Sequence, residues 1–415
     1  MTKLIWKLFK IVLTLLLAFL MYVVIGGVVP FLHHPDVSQT KKEAVESTQF
    51  YSDSAGPDRA TIIEDNEEAL KMRLRVIKDA KKTLILSTFD FRSDDAGKDI
   101  LAALLNAADR GVKVEIFADG FNSIIQMENN DYFYALSSNK NIKIIIYNQV
   151  NILIPWNGLG RMHDKYVIAD DSLYILGGRN TFGYFLGDYA GHKNYDRDVL
   201  VYNTGSKDSS IYQIKDYYKK ITSQKCCSVF HYNESLGEKN SVKKAEQELK
   251  NRYESLENKY DKFLAENYDY KANTYETNKI NLLSNPTSLY AKQPTVYYGL
   301  MYLAKNAKKE VKIHTPYIIC NDYMYNELKN IKVPTTIMTN SAENNGNIFG
   351  AVDYLNHKKD IINTGVTIKE YEGGISYHGK SMTIDDDIAI VGSFNMDMRS
   401  AYLDTELMLV INSKD

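Results

Sequence analysis

Two short blocks of this 415-residue sequence carry residue types that nucleophilic and acid–base chemistry needs. The first reads Arg161-Met162-His163-Asp164-Lys165-Tyr166-Val167-Ile168-Ala169-Asp170 and continues through Gly177-Gly178-Arg179-Asn180 to Asp198. The second reads Tyr377-His378-Gly379-Lys380-Ser381-Met382-Thr383-Ile384-Asp385 and continues through Gly392-Ser393-Phe394-Asn395 to Glu406. His163 and His378, Lys165 and Lys380, Asp170 and Asp385, and Asn180 and Asn395 are each 215 positions apart. One spacing kept by four polar positions across otherwise different segments marks a duplicated functional element.

In His-x-Lys both side chains lie on one face of a strand, because the strand period is two. The imidazole and the ammonium therefore enter one space. Asp170 and Asp385 fall at the strand ends, where an Asp-Asp turn is expected. Gly178 and Ser393 stand before the asparagines with side chains small enough to let a phosphate approach the backbone. Two lobes facing each other would pool two His, two Lys and two Asn, a set suited to phosphodiester chemistry. One neutral His attacks phosphorus and the other, protonated, donates to the leaving oxygen. The lysines and asparagines stabilise the equatorial oxygens as charge shifts. Asp198 and Glu406 are the candidates to accept from the far ring nitrogen of each His and fix its tautomer. A lone His-x-Lys on a strand is ordinarily a half-exposed surface pair. A matched pair with matched Asp, Asn and acidic followers reads as a site. Neither block has His-Glu-x-x-His or paired Cys spacing, and Lys is not a normal ligand, so no catalytic metal is expected.

These blocks need strands, and strands need helices to cover them. A helical stretch is expected over Glu64 to Ala80, a strand over Thr83 to Thr88, and a second helix over Gly97 to Arg110, where apolar residues recur at helical spacing. Gly111 stands where a helix C-cap would, before strands at Val112 to Phe117 and Ile142 to Tyr147. Asp79-Ala80-Lys81-Lys82 before Thr83 is paralleled by Asn306-Ala307-Lys308-Lys309 before Glu310, an offset of 227. The alternation predicts an α/β fold with mostly parallel mixed sheets flanked by helices. Between the copies, Leu249, Tyr253, Leu256, Tyr260 and Leu264 are spaced as the stripe of one amphipathic helix packing on one lobe.

Residues Ile11 to Leu32 form an uncharged run of 22, long enough to cross a bilayer as a helix. It exceeds a secretory signal's apolar region, so an uncleaved anchor is expected. Lys3, Lys7 and Lys10 precede it, which puts the N-terminus in the cytoplasm and the remainder outside the cell membrane. Residues 33–60 are polar and read as a linker. The Ile152-Leu153-Ile154-Pro155-Trp156 segment suits either the membrane interface or ordinary packing. With 50 Lys+Arg against 52 Asp+Glu the net charge is −2, which lacks the basic footprint of a nucleic-acid binder. Cys226, Cys227 and Cys320 are too few for a disulfide scaffold. His33, His34, His192, His231 and His357 have no matched partner, and His314 reads as a packed strand residue.

His-x-Lys-x4-Asp twice, each followed by a Gly/Ser-x-Asn element, resembles the signature of the phospholipase D superfamily. Arg-Met-His-x-Lys, Gly-Gly-Arg-Asn and Asp404-Thr405-Glu406 are similar to its bacterial cardiolipin synthase branch. The resemblance implies two pseudo-symmetric lobes, over 61–205 and 291–415, with 206–290 connecting them. It implies a phosphatidyltransferase with no cofactor, acting on membrane phospholipids, phosphatidylglycerol above all. A phosphohistidine at His163 would release glycerol, with His378 as acid/base, and a second phosphatidylglycerol would complete cardiolipin. A hydrolytic phospholipase D would use the same residues. A nuclease or a dead membrane scaffold fits the anchor, charge and intact motifs less well. Many cardiolipin synthases have two N-terminal membrane helices and the branch matched here often has none, so one helix is a departure.

Overall fold

The computed structural model describes residues 2–231, 234–264 and 268–414. Helix α1 (Thr2–Val28) starts before the uncharged run, since Lys3, Lys7 and Lys10 are good helix formers. It gives way to a 3-10 turn (Val29–Phe31) at Pro30, which lacks the amide needed to continue. Its apolar span has none of its residues buried, and is long and apolar enough to cross a membrane. Its end nevertheless touches the body of the protein. Tyr22 Oη donates to Leu153 O at 2.9 Å, Tyr22 meets Trp156 edge-on, and Gly26 lies so close to Pro155 that a Cβ there would clash.

Residues 33–60 are no loose tether. Helix α2 (Gln39–Glu46) packs on the second lobe, and Val37, Val45 and Phe50 are buried in that lobe's core.

The first lobe comprises β1 (Asp58–Ile63), α3 (Asn66–Asp79), β2 (Thr83–Thr88), α4 (Asp95–Asp109), β3 (Lys113–Asp119), α5 (Gly120–Gln126), α6 (Asp131–Ser138) and β4 (Ile142–Tyr147). It continues with β5 (Tyr166–Ala169), β6 (Leu173–Gly177), β7 (Asn194–Tyr195), β8 (Asp198–Asn203), α7 (Ile211–Thr222), β9 (Cys227–Val229), α8 (Glu234–Gly237), α9 (Asn240–Lys259) and β10 (Tyr275–Glu276). The second lobe comprises β11 (Lys279–Ser284), α10 (Thr295–Lys305), β12 (Val311–His314), β13 (Ile318–Ile319), α11 (Asp322–Lys329), β14 (Thr335–Asn340) and α12 (Ile348–Asn363). It ends with β15 (Thr367–Tyr371), β16 (Ser376–Tyr377), β17 (Lys380–Ile384), β18 (Ile388–Gly392), β19 (Met396–Asp397), α13 (Met398–Tyr402) and β20 (Leu407–Asn412).

Seven strands follow one order in both lobes: β1-β8-β6-β5-β2-β3-β4 in the first and β11-β20-β18-β17-β12-β14-β15 in the second. The first sheet adds β10 and β9 at its edges. Both sheets are mixed and less parallel than the alternation of elements suggested. Within the two sheets only β2-β3-β4 and β12-β14-β15 run parallel, each step crossing over through helix. Tight turns and loops make the rest antiparallel. Caps set the helix starts, as Asp65 accepts from Glu68 N and Asp94 from Gly97 N, each at 2.9 Å. Gly111 terminates α4 at φ +92°, where a side chain would be strained.

Each lobe has its own core, and α9 lays Val242, Leu249, Tyr253 and Leu256 onto the first. A third cluster joins the lobes, packing Tyr166, Val199 and Val201 with Val391, Leu407 and Leu409. Leu409→Ala in that seam would cost about 2–5 kcal/mol. Because the seam fixes the lobes against each other, it also fixes what they share.

Candidate active site

The histidines precede β5 and β17, which pair antiparallel with β2 and β12. Ser87 pairs with Tyr166, and His314 with Ser381, so both histidines emerge beside the carboxyl-terminal ends of the parallel strands. Period-two alternation then aims Lys165 and Lys380 the same way. Asp170 and Asp385 lie at the opposite ends of these strands, away from the histidines. Each adopts a left-handed backbone, φ +54° and +53°, which Asp tolerates. The Asp170 carboxylate accepts from the amides of Lys81, Lys82 and Thr83, and that of Asp385 from Lys308, Lys309 and Glu310. These two motif residues hold the start of β2 and β12 and do not face the site.

The lobes cross over at the site. Met162 bridges Thr405 in parallel, so the next residues on each chain, His163 and Glu406, come side by side. His163 Nδ1 lies 2.9 Å from Glu406 Oε1. Tyr377 pairs with Tyr195 in the same sense, and the next residues, His378 and Asp196, meet with Nδ1 to Oδ2 at 2.6 Å. Each histidine is thus oriented by an acid from the other lobe. The second orienting acid is Asp196, not Asp198. Asp198 turns away into the first lobe, where Arg73 and Arg179 bind its Oδ2 at 2.9 and 3.1 Å. The sheet register carries the missing signal. Gly177 pairs with Asp198 as Gly392 pairs with Met408, so Glu406 corresponds to Asp196.

The small residues serve these acids. A Cβ on Gly178 would fall 2.3 Å from Asp196 Oδ1, so glycine makes room for that carboxylate. Its counterpart Ser393 donates to Glu406 Oε2, and Ser400 donates to Oε1 at 2.7 Å. Gly178 and Ser393, expected in a phosphate cradle, support the acids instead. Asn180 Oδ1 accepts from Asp90 N at 3.3 Å, whereas the buried Asn395 Oδ1 has no protein partner. Lys165 Nζ donates to His163 O at 2.5 Å, and Lys380 Nζ lies 3.0 Å from His378 Nε2. Phe89 and Phe185 stand against the His163 and His378 rings, with centroids 5.1 and 5.0 Å away.

Burial crowds these charges into one low-dielectric space. It lowers Lys165 to about 7 and Lys380 to about 8, and raises Glu406 to about 8. Burial and Lys165 push His163 well below its ordinary value, and burial and Lys380 take His378 to about 4. For Asp196 burial is outweighed by Lys380 and His378, which hold it below the usual carboxylate range. Lys380 acts on His163 and Lys165 on His378, so the two halves share one field. Among the described residues, no three or more His, Cys, Asp or Glu groups are arranged to hold a metal ion. A cavity of about 750 Å³ opens at the amino-terminal ends of β2, β3 and β4, the far end from the histidines.

Two lobes of one strand order, each sending a His-x-Lys strand into a shared buried centre, define a phospholipase D-type protein. The chain belongs to the family described as "Cardiolipin synthase, PLD-like domain", whose model matches residues 74–221 and 300–415. It is 27% identical over 394 residues to an uncharacterised protein of Helicobacter pylori, spanning 85% of this chain and 76% of that one. It is 26% identical over 353 residues to cardiolipin synthase 1 of Staphylococcus aureus strain MRSA252, spanning 83% of this chain and 62% of that protein. The phosphatidylserine synthase structure from Haemophilus influenzae shares the fold, with TM-score 0.59 at 16% identity over 90% of this chain and 87% of that one. The family places the chain among the phospholipid-modifying enzymes of the phospholipase D superfamily.

Proposed function

We propose that this chain is a membrane-anchored phosphatidyltransferase of the cardiolipin synthase type, condensing two phosphatidylglycerol molecules to cardiolipin and glycerol. The observation that carries the reading is the crossed pair of histidines, each with Nδ1 engaged by an acid, His163 with Nε2 left for substrate and His378 with Nε2 beside Lys380 Nζ. His163 Nε2 attacks phosphorus and the bond from phosphorus to the glycerol oxygen breaks. His378, protonated, gives its proton to that oxygen, so neutral glycerol departs. The incoming phosphatidylglycerol hydroxyl then loses its proton to His378 and attacks the phosphohistidine. The phosphorus–nitrogen bond breaks and His163 is restored. Lys165, Lys380 and Asn395 stabilise the equatorial oxygens. Helix α1 is the anchor, and Lys3, Lys7 and Lys10 favour a cytoplasmic N-terminus with the lobes across the membrane.

The test is a product assay on phosphatidylglycerol vesicles with chelator present. Cardiolipin plus free glycerol is expected, falling about a thousandfold in His163→Ala and in His378→Ala. Mass spectrometry is expected to find a phosphatidyl adduct on His163 in His378→Ala and none in His163→Ala. Phosphatidic acid as the main product would replace the transferase with a hydrolase. An adduct on His378 would reverse the two roles.

A further inference from the structure

Three segments leave the carboxyl-terminal ends of the parallel strands, the ends beside which both histidines emerge. All three expose apolar side chains. Helix α5 directly follows β3 and turns Phe121, Ile124 and Ile125 outward. The loop after β4 exposes Ile152, Leu153 and Trp156. In the second lobe the segment after β14 leads into α12, whose Ile348, Val352 and Leu355 form an outward stripe beside Phe349. Phe349 is 81% exposed and Ile348 72%. Soluble surfaces scatter such residues singly; a stripe at helical spacing with nothing over it is a contact surface.

These segments are tied to the site's own scaffold. Gly120 abuts Asn148 O, and Asn148 Nδ2 in turn holds Asn157 O at 2.7 Å and Gly160 O at 2.8 Å, just ahead of His163. On the other side Asn340 Nδ2 donates to Tyr377 O at 2.8 Å and Gly346 N to Ser376 Oγ at 3.3 Å, just ahead of His378. Since β3 and β14 hold equivalent places in the two sheets, α5 and the start of α12 flank the shared centre from opposite lobes.

What covers this surface is indicated by α1. The apolar helix makes its contacts with the body on the exposed 152–156 loop, through Tyr22, Gly26 and Trp156. A bilayer around α1 therefore begins where that loop ends. We propose that the site faces the membrane directly, with α5, the 152–156 loop and the first two turns of α12 dipping into the surface of the bilayer that α1 spans. Lys358 and Lys359 on the following turn of α12 then sit at headgroup level, as in helices that lie in an interface. The geometry lets a phosphodiester reach the histidines while its acyl chains stay in lipid. The proposal rests on the phosphatidyltransferase reading for its substrate, but its readout is depth rather than turnover.

The full-length protein in bilayers of phosphatidylglycerol and phosphatidylethanolamine carrying brominated acyl chains provides the test. In a background of Trp6→Phe and Trp156→Phe, Phe349→Trp supplies a probe on α12. Asp386→Trp supplies one on the exposed turn after β17, at the end of the strand far from His378. Bromolipid is expected to quench about half of the Phe349→Trp emission and almost none from Asp386→Trp. Native Trp156, read with Trp6→Phe alone, is expected to be quenched as well. Equal, weak quenching at both introduced probes would overturn the proposal, as would an unquenched, blue-shifted Phe349→Trp emission, the mark of coverage by a second copy. Quenching without phosphatidyl transfer would leave the docking intact and remove the reaction. Transfer with an unquenched Phe349→Trp would do the reverse.

Discussion

His163 and His378 emerge at equivalent places on two lobes of one strand order, but the acids behind them are held in different ways. Asp196 has its room from Gly178 and meets His378 with Lys380 close by, and it stays firmly ionised. Glu406 is enclosed by Ser393 and Ser400 and is pushed by burial to about 8, so near neutrality it shares a proton with its surroundings. Matching backbones have not produced matching charge. A firm anion behind an imidazole stabilises the imidazolium, which suits the histidine that must carry a proton between two oxygens. A softer carboxylate leaves its histidine neutral, which suits a nucleophile. This comparison supports the proposed roles of His378 as the acid/base and His163 as the group that bonds to phosphorus.

The largest effect expected from this difference lies in the acids. Asp196→Asn removes the charge that supports imidazolium and is expected to lower kcat about a hundredfold or more. Glu406→Gln resembles the protonated form that burial favours and is expected to cost about tenfold. Equal losses in a side-by-side vesicle assay would erase the distinction between the half-sites.

Next in size is the alkaline limb of the pH profile. Lys165 and Lys380 titrate at about 7 and about 8, and each loses its positive charge as pH rises through that value. Phosphate binding weakens accordingly, so kcat/KM should begin to fall above about pH 7 and approach a slope of about two above about pH 8. Lys165→Arg keeps its charge throughout, so the limb should drop to a slope of about one, set by Lys380. An unchanged profile would mean that Lys165 does not hold the phosphate.

The smallest effect tests the one feature in which the lobes agree. Asp170→Ala and Asp385→Ala each remove an acceptor for three backbone amides at an exposed turn, and each should lower stability by about 1 kcal/mol. Backbone hydrogen bonds outweigh the limited burial of Asp385 and keep its carboxyl below the ordinary value, so that its share of stability is present above the unfolded value. It is lost as pH falls through the folded value. Denaturant midpoints check the stability loss, and kcat per folded molecule should be unchanged. A thousandfold loss of kcat would return these residues to the chemistry.

Local physics made much of this protein legible. The alternation in His-x-Lys puts imidazole and ammonium on one strand face, the constant spacing of 215 aligns the two copies, and β2, α4 and β3 fall within two residues of their expected bounds. Each of these rests on neighbours in the chain, whose geometry the strand and helix periods dictate. The apolar length of α1 belongs with them. Other features depended on pairs that only folding brings together. Glu406 is 243 residues from His163, and Asp196 is 182 from His378. Asp196 and Asp198 are two residues apart with the same side chain, and only the fold decided which meets a histidine and which meets Arg73 and Arg179. Gly178 and Ser393 looked like phosphate cradles because small size is all their types declare, while their neighbours in space made them supports for carboxylates. Residue type and period act along the chain and can be read there; a charge or an orienting pair is defined by what stands across from it, and the packed seam between the lobes settled that.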